Sequence, residues 1–279
     1  MPQLIRPATH LYIIFIYQSP AVHSSPSRTV KLSNHQTLNL NYYFITGTSR
    51  GIGKAMAEYL LTDKNNFVNG YARNNSISHP NFVFQKVDLS DLEAAQKVPF
   101  GTVKGAKRIA LINNAGAILQ VKPSGKGNPG TIIRELNLNL MAPVILINKF
   151  IEAYRTHNCE KLIVNVSSGA GKSAIDGWST YCAAKAGIDH YSRVVDAEQK
   201  LVAENRFRIV SIAPGVVDTQ MQTDIRSADP SDFSRLSDFQ KYKNDKVLAD
   251  PKLIAEKYFS ILANLTKIDQ VVFSVKDIN

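Results

Sequence analysis

Three side chains in the middle of the sequence have the types and the spacing that carbonyl chemistry needs. Tyr181 and Lys185 lie four residues apart in a predicted helix, 179–201, so they share one of its faces. A tyrosine ordinarily has a pKa of about 10, and a neighbouring ammonium is expected to lower it. Such a tyrosine can protonate a carbonyl oxygen, or take a proton from an alcohol in the reverse direction. Ser168, at the end of a predicted strand, could hydrogen-bond the same oxygen.

The elements that must position these side chains are short apolar strands alternating with amphipathic helices. The strands are predicted at 41–46, 66–72, 81–87, 108–116, 161–168, 207–215 and 270–275, and the helices at 52–62, 131–157, 179–201 and 251–264. This order is typical of one Rossmann-type α/β domain, a doubly wound parallel sheet with helices on both faces. Pro143 is expected at most to bend the helix 131–157. The polar segment 222–250 is long for a connection, and we interpret it as a loop that covers the site.

A glycine-rich stretch, TGTSRGIG at residues 46–53, connects the first strand to the first helix. Gly47 would allow a tight turn, and Gly51 and Gly53 would let a ligand and the sheet approach the backbone closely. Free N–H groups at a helix N-terminus attract anions, so this position favours a phosphate site over a simple turn. A mononucleotide P-loop is excluded, since no Gly-Lys-Ser/Thr sequence follows. The stretch alone is a weak signal for a dinucleotide cofactor.

The composition is that of a globular protein with a solvated basic surface. Of the 279 residues, 44% are apolar and 20% are charged, and the formal net charge is +10. The basic residues are scattered, so we expect no nucleic-acid partner; attraction of a phosphorylated ligand is the weaker alternative. Cys159 and Cys182 indicate neither a disulfide framework nor a metal site. We therefore expect a reducing, cytoplasmic environment and no metal.

Residues 1–41 differ from the rest of the chain, because they contain no Asp or Glu. We predict a disordered leader here, or a start upstream of the true one. The apolar run 11–17 is too short to cross a membrane, which takes about 20 residues, so no membrane partner is expected. A secretory signal peptide is the alternative. The catalytic domain is predicted to comprise residues 42–279.

Five motifs follow one another in an order that resembles one enzyme family. They are TGTSRGIG (46–53), NNAG (113–116), NVSS (165–168), YCAAK (181–185) and PGVVDT (214–219). Residues 42 to about 275 therefore resemble the short-chain dehydrogenase/reductase family. The sequence around the tyrosine and after the last motif looks closest to its sepiapterin reductase and benzil reductase branch. The resemblance implies a nicotinamide cofactor and reversible reduction of a carbonyl compound.

The resemblance also implies which residues take part in catalysis. The family's serine precedes its tyrosine by about the separation found here, which selects Ser168 over Ser167. Its asparagine, part of a proton relay with the lysine, is matched better by Asn139 than by Asn137. The positive ring of an oxidised nicotinamide would lower the pKa of Tyr181 further. The expected catalytic set is Ser168, Tyr181, Lys185 and Asn139.

The tip of the second strand favours NADP(H) over NAD(H). No acidic residue lies between Asp63 and Asp88, where NAD enzymes place one against the ribose 2′-OH. Arg73 stands in its place, and Arg50 lies beside the same ribose in the family geometry. Both could bind a 2′-phosphate, although Arg73 could also be a solvated surface residue. The other residues implied in cofactor binding are Gly47, Ser49, Gly51, Ile52, Gly53, Asp88, Asn114, Ala115, Gly116, Tyr181, Lys185, Pro214, Gly215, Val217 and Thr219.

The substrate is less closely defined by the sequence. Trp178 could form a wall of the substrate pocket or belong to the core, and Met221 with the segment 222–250 is expected to roof the pocket. Sepiapterin reductases anchor their pterin through an acid near the C-terminus, where only Asp277 is available in a poorly matching context. We therefore expect a small-molecule carbonyl substrate, an apolar ketone or vicinal diketone. A pterin reductase and a non-catalytic NADP-binding regulator are the alternatives, and the family implies a homodimer or homotetramer.

Overall fold

The computed structural model describes residues 39–278, and the predictions made for residues 1–38 and 279 fall outside it. The strands in the described part are β1 (Leu40–Thr46), β2 (Asn66–Ala72), β3 (Phe82–Lys86), β4 (Ala106–Asn113), β5 (Glu160–Val166), β6 (Arg208–Ala213) and β7 (Val272–Ser274). The α-helices there are α1 (Gly51–Leu60), α2 (Leu92–Lys97), α3 (Pro129–Leu136), α4 (Ala142–Tyr154), α5 (Ser179–Lys200), α6 (Gln220–Arg226), α7 (Leu236–Asn244) and α8 (Pro251–Ala263).

Within residues 39–278 the strands form one seven-stranded sheet with all neighbours parallel, in the order β3-β2-β1-β4-β5-β6-β7. From β1 the chain winds outward to β3, then returns to place β4 on the other side of β1. This reversal opens a crevice at the carboxyl ends of β1 and β4, where ligands bind in sheets of this kind. The predicted doubly wound parallel sheet is confirmed.

Apolar side chains alternate between the two faces of the sheet, because successive residues of a strand point to opposite sides. In β1, Tyr43 and Ile45 pack in one cluster with Tyr258 of α8. Phe44 packs on the other face against Phe150 of α4, with ring centroids 5.8 Å apart. Each such buried side chain contributes about 1.5–3 kcal/mol. Two apolar layers thus hold the sheet rigid beneath the crevice.

The helix predicted at 131–157 is instead two helices, α3 and α4, joined by the π-helical segment Asn137–Met141. The amide of Ala142 donates to a carbonyl five residues earlier rather than four. Pro143 has no N–H to offer the carbonyl of Asn139, which weakens the ordinary α pattern there. The stretch nevertheless stays helical from Pro129 to Tyr154, so Pro143 does not end the helix, but the π-helical turn was not predicted. The widened turn carries Asn139, one of the expected catalytic residues.

This helical stretch, Pro129–Tyr154, is the one stretch within residues 39–278 whose length and mean hydropathy of 1.3 would suit a membrane span. That is weak evidence, because the core helices of globular proteins pass the same test. Leu146, Ile147 and Phe150 are fully buried in the layer against the sheet. This packing accounts for part of the apolar character of the stretch, since 33% of the apolar window is buried.

The segment 222–250 is not the irregular loop that its composition indicated, because the end of α6 and all of α7 lie in it. Ile225, Phe233 and Phe239 are buried in one cluster with Trp178. Their spacing fits no single helix, which is why no periodic pattern showed in the sequence. The helix α2 was also missed, since six residues are too few to show a period. The roof of the crevice is thus a helical lid with its own apolar face.

Candidate active site

A single cleft of roughly 470 Å³ runs across the carboxyl ends of the strands. Nearly all of the side chains singled out from the sequence line it. Those in its wall are Gly47, Ser49, Arg50, Gly51, Ile52, Arg73, Asp88, Asn114, Ala115, Gly116, Ser168, Trp178, Tyr181, Lys185, Pro214, Gly215, Val217, Thr219 and Met221. Gly53 and Asn139 lie behind the wall instead. Asp277 is not part of it, and its carboxylate accepts a hydrogen bond from the amide of Ser274.

The glycine loop brings the start of α1 to one end of the cleft. Gly47 and Gly51 have φ angles of +77° and +60°, which a residue with a side chain adopts only with strain. Arg50 occupies the N-cap position without a side-chain cap bond, so its side chain leaves the N–H groups of the first turn to a ligand. Gly53 has a packing role, since a Cβ there would lie 2.3 Å from the Asn114 amide nitrogen. The loop therefore presents an anion site.

Thr46 joins the loops that follow β1 and β4, a role the sequence did not reveal. Its hydroxyl oxygen accepts from the amides of Asn114 at 3.0 Å and Ala115 at 2.9 Å. The Asn114 side chain donates back to the carbonyl of Thr46 at 3.0 Å. These bonds fix the two loops at the separation that frames the middle of the cleft.

The outer end of the cleft is basic and holds one carboxylate. Arg73 follows β2 and is exposed, as expected for a residue at the strand tip. Asp88 lies near Arg73. Burial tends to raise the pKa of Asp88, but hydrogen bonds from Ser90 and the charges of Arg73 and Arg134 outweigh burial, so the pKa is lowered. Arg134, on α3, also lines the cleft and carried no sequence signal. This end thus offers three guanidinium groups, counting Arg50, to an anionic ligand.

Tyr181 and Lys185 project from α5 into the middle of the cleft, and both are 5% exposed. Burial raises the pKa of Tyr181 to about 12, against a lowering effect of its hydrogen bond with the Ser168 side chain. Burial also lowers the pKa of Lys185 to about 8. The Lys185 ammonium lies 5.5 Å from the ring centroid of Tyr181 and donates to the carbonyl of Val166 at 2.9 Å. The expected lowering of the Tyr181 pKa is therefore wrong for the chain without a cofactor, because desolvation dominates the shift and Lys185 is not among its causes.

This burial of Lys185 makes the stability of the fold depend on pH. The folded chain releases the lysine proton near pH 8, whereas an unfolded lysine keeps it to about 10.5. Between these values the unfolded state binds more protons, so the free energy of unfolding rises with pH, by up to about 3 kcal/mol. In Lys185→Met this rise should be absent. Urea unfolding from pH 7 to 10, with exposed Lys241→Met as the control, tests it; parallel curves for wild type and Lys185→Met would contradict it.

Asn139 supports the cleft from behind. Its side chain is 1% exposed, and its amide nitrogen donates to the carbonyls of Ala117 at 2.8 Å and Glu135 at 2.9 Å. Its oxygen accepts from the amide of Ala117 at 3.2 Å. A Cβ on Gly116 would lie 2.8 Å from that oxygen and 3.5 Å from the Lys185 ammonium. Asn139 thus lies near Lys185, with Gly116 between them. Asn137 instead donates a hydrogen bond to the carbonyl of Ser90.

The inner end of the cleft is apolar and aromatic. Trp178 stacks on Phe233 of the lid with ring centroids 5.4 Å apart and meets the Tyr181 ring edge-on at 6.0 Å. Phe239 lies 5.3 Å from the same indole, and Met221 packs against the cluster. Trp178 is both core and wall, since it is 5% exposed and lines the cleft. This end suits a flat, apolar substituent.

Two polar contacts hold the lid over this end. Asp232, 4% exposed at its side chain, pairs with Lys122 at 2.5 Å and Lys126 at 3.1 Å in the loop that follows β4. Asp176 accepts hydrogen bonds from the amide of Ser234 at 2.7 Å and its hydroxyl at 2.9 Å. These contacts lie on either side of Phe233 and keep its ring against Trp178.

Within residues 39–278 no cluster of His, Cys, Asp and Glu could hold a metal ion.

Comparison with known proteins gives consistent matches. The sequence profile of the family described as short chain dehydrogenase matches residues 41–230. The benzil reductase ((S)-benzoin forming) of Bacillus subtilis is 34% identical over 85% of this chain and 99% of its own length. Mouse sepiapterin reductase is 31% identical over 78% of this chain and 90% of its own. A solved short-chain dehydrogenase/reductase from Saccharomyces cerevisiae superposes with a TM-score of 0.72 at 24% identity, over 85% of this chain and 97% of that one, which supports the fold.

Proposed function

The chain belongs to the short-chain dehydrogenase family, and from that premise we propose that it is an NADPH-dependent carbonyl reductase that acts on a vicinal diketone, with Tyr181 as the general acid. The observation that carries the proposal is the group formed by Ser168, Tyr181 and Lys185 in the middle of the cleft. It lies between an anion site and an aromatic pocket. A cofactor and a ketone can therefore meet at the tyrosine hydroxyl.

The outer half of the cleft fits a dinucleotide. The uncapped start of α1, the two glycines with positive φ and the basic outer end provide a cradle for a pyrophosphate and a further phosphate. Arg50 and Arg73 support NADPH over NADH, since a guanidinium forms charge-assisted hydrogen bonds with a phosphate. NADPH bound there would supply the hydride.

The residues of this chain supply the proton and the orientation. Tyr181 donates its hydroxyl proton to the carbonyl oxygen, and Ser168, whose side chain lies beside the Tyr181 hydroxyl, steadies the same oxygen. A raised pKa suits this role, because the tyrosine stays protonated until the ketone is reduced. Lys185, held by the carbonyl of Val166, places its charge beside the phenol as it becomes a phenolate. Asn139 keeps the loop beside Lys185 in place.

Two buried polar atoms support a substrate with a second oxygen. Within residues 39–278, the Trp178 indole nitrogen and the Gln222 side-chain oxygen have no hydrogen-bond partner, and both residues line the cleft. Gln222 shares the buried face of α6 with Ile225, which packs in the cluster of Trp178 and Tyr181. Buried polar groups are rarely left unpaired, so both point to a polar group on the ligand. The Trp178 indole N–H can donate to the second carbonyl of a vicinal diketone, whereas the Gln222 oxygen is an acceptor, so Gln222 can bind that carbonyl only through its amide nitrogen with the side chain turned over. The relatives named benzil reductases agree with this substrate class.

A matched pair of ketones tests this assignment. Benzil and deoxybenzoin share one skeleton and differ by the second carbonyl, so Gln222→Leu and Trp178→Phe should each lower kcat/KM for benzil roughly tenfold and change it little for deoxybenzoin. Gln220→Leu is the control, since Gln220 lies on the same helix but already donates to Asp224. Equal losses on both ketones would reject the second-oxygen contact. Tight NADPH binding without turnover of any ketone, aldehyde or pterin would instead support a regulator.

A pterin substrate is the less favoured candidate, although sepiapterin reductases are among the relatives. The anchoring acid near the C-terminus would have to be Asp277, which bonds Ser274 and lies outside the cleft wall.

We further propose that the protein acts in the cytoplasm as a homodimer or homotetramer. The catalytic domain would begin near residue 42, close to the start of β1 at Leu40.

A further inference from the structure

Glu135, on α3, is a buried acid that the reaction as described does not use. It is 1% exposed, the most deeply buried acidic residue among residues 39–278. Its carboxylate accepts the amide of Leu119 at 2.7 Å, and the amide of Gln120 lies close to it. Burial raises the pKa of Glu135 against the lowering effect of these two amides. Burying a carboxylate is costly, and no Lys or Arg pairs with it in the described part of the chain. Its position therefore calls for an explanation beyond packing.

The two amides belong to a loop that separates the two halves of the cleft. Ala117, Ile118 and Leu119 all line the cleft wall. Ile118 packs in the same cluster as Trp178 and Tyr181. A shift of this loop would therefore move the wall against which a ketone lies.

The helix holds this loop at two successive points. Asn139 bonds both backbone groups of Ala117, and Glu135, one turn earlier, accepts the amide of Leu119, two residues further along the loop. The two side chains are themselves linked, because the Asn139 amide donates to the backbone carbonyl of Glu135. The asparagine and the glutamate thus act as paired tethers.

We propose that Glu135 is a positioning residue for the reduction: its carboxylate tethers the loop 117–120 and sets the wall formed by Ile118 and Leu119 against the ketone beside Tyr181. The proposal rests on the proposed carbonyl reductase activity. It makes the glutamate a determinant of which ketones fit, although it touches no reacting atom.

The same carboxylate acts on Tyr181 through its charge. Its negative charge raises the pKa of the tyrosine, after the larger effect of burial and against the hydrogen bond from Ser168. The other titratable groups around this hydroxyl are Cys182 and Lys185 of α5, with Asp224 of α6 and Arg235 between the lid helices on the far wall. Glu135 is the carboxylate whose charge raises the pKa of Tyr181, so it favours the protonated form of the tyrosine.

Two substitutions separate the tether from the charge. Glu135→Asp keeps the charge but is one methylene shorter, so it should raise KM for benzil roughly tenfold and leave the pH dependence of benzoin oxidation unchanged. Glu135→Gln keeps an acceptor of the same length without the charge. It should leave KM within about threefold and speed benzoin oxidation by NADP+ at pH 8–9 roughly three- to tenfold, because a lower tyrosine pKa gives more phenolate base.

The controls distinguish a failed inference from a failed function. Exposed Glu152→Gln should change nothing, NADPH Kd should stay within twofold in every variant, and thermal melts establish which variants are folded. If folded Glu135→Asp and Glu135→Gln both behave as wild type, the inference is wrong. If wild type reduces no ketone while binding NADPH, the proposed function fails instead. If Glu135→Asp does not fold, Glu135→Gln alone decides: unchanged oxidation at pH 8–9 overturns the proposal.

Discussion

Replacing Tyr181 with phenylalanine is expected to lower kcat for benzil reduction about a thousandfold or more while leaving the Kd of NADPH within twofold. The change removes one hydroxyl from a side chain that is otherwise held by its ring. That ring keeps its edge-on contact with Trp178 and its place in the apolar cluster. Without the hydroxyl, the carbonyl oxygen loses its proton donor when the ketone is reduced. The loss should therefore appear in the chemical step and not in cofactor binding.

Stopped-flow absorbance of NADPH with excess benzil measures the chemical step, and quenching of protein fluorescence measures the Kd. Tyr191→Phe is the matched control, because Tyr191 lies on the same helix, is half-buried and faces the layer against the sheet. It should retain wild-type turnover. If Tyr181→Phe turned over at a comparable rate, another group would be the acid and the proposed mechanism would be wrong.

Removing both arginines at the outer end should reverse the proposed preference for NADPH over NADH. Each charge-assisted hydrogen bond to a phosphate contributes about 1.5–3 kcal/mol, or roughly 10- to 100-fold in Kd. In the double variant, which combines Arg50→Ala and Arg73→Ala, we expect the Kd of NADPH to rise at least about 100-fold. NADH binding should change only a few-fold, because its ribose carries no phosphate there. Arg134 remains and limits the loss.

The same experiment has an electrostatic signature. Binding of NADPH by wild type should weaken with added salt more steeply than binding by the double variant, since fewer ion pairs remain to be screened. Exposed Arg155→Ala, at the end of α4, controls for the loss of net charge. If wild type used NADH and NADPH equally, the cofactor assignment from Arg50 and Arg73 would be wrong.

The sheet was predictable because each strand is a short apolar run bounded by a turn. β2 was predicted with the bounds it has, at 66–72, and the other strands within three residues at either end. The site followed from this order, since loops after parallel strands meet at one edge. The local sequence pattern was therefore sufficient to predict the position of a residue that depends on a single strand or helix.

The features that escaped prediction depend on contacts between distant segments. The π-helical turn at Asn137–Met141 arises where Pro143 breaks one hydrogen bond and the loop at Ala117 supplies others. Glu135 carried no signal in the sequence, because nothing near it along the chain shows that the amide of Leu119 lies 2.7 Å from its carboxylate. The direction of the Tyr181 pKa was wrong for a similar reason, since burial depends on the lid that folds over it.

Trp178 is the only tryptophan of the chain, and it lies where the lid, the catalytic helix and the pocket meet. All indole emission therefore comes from one place, stacked on Phe233 at 5.4 Å and next to Tyr181. Opening of the lid would expose the indole to water and shift its emission to longer wavelengths. A reduced nicotinamide bound near Tyr181 would absorb that emission. The protein thus carries an unlabelled optical probe of its own active site.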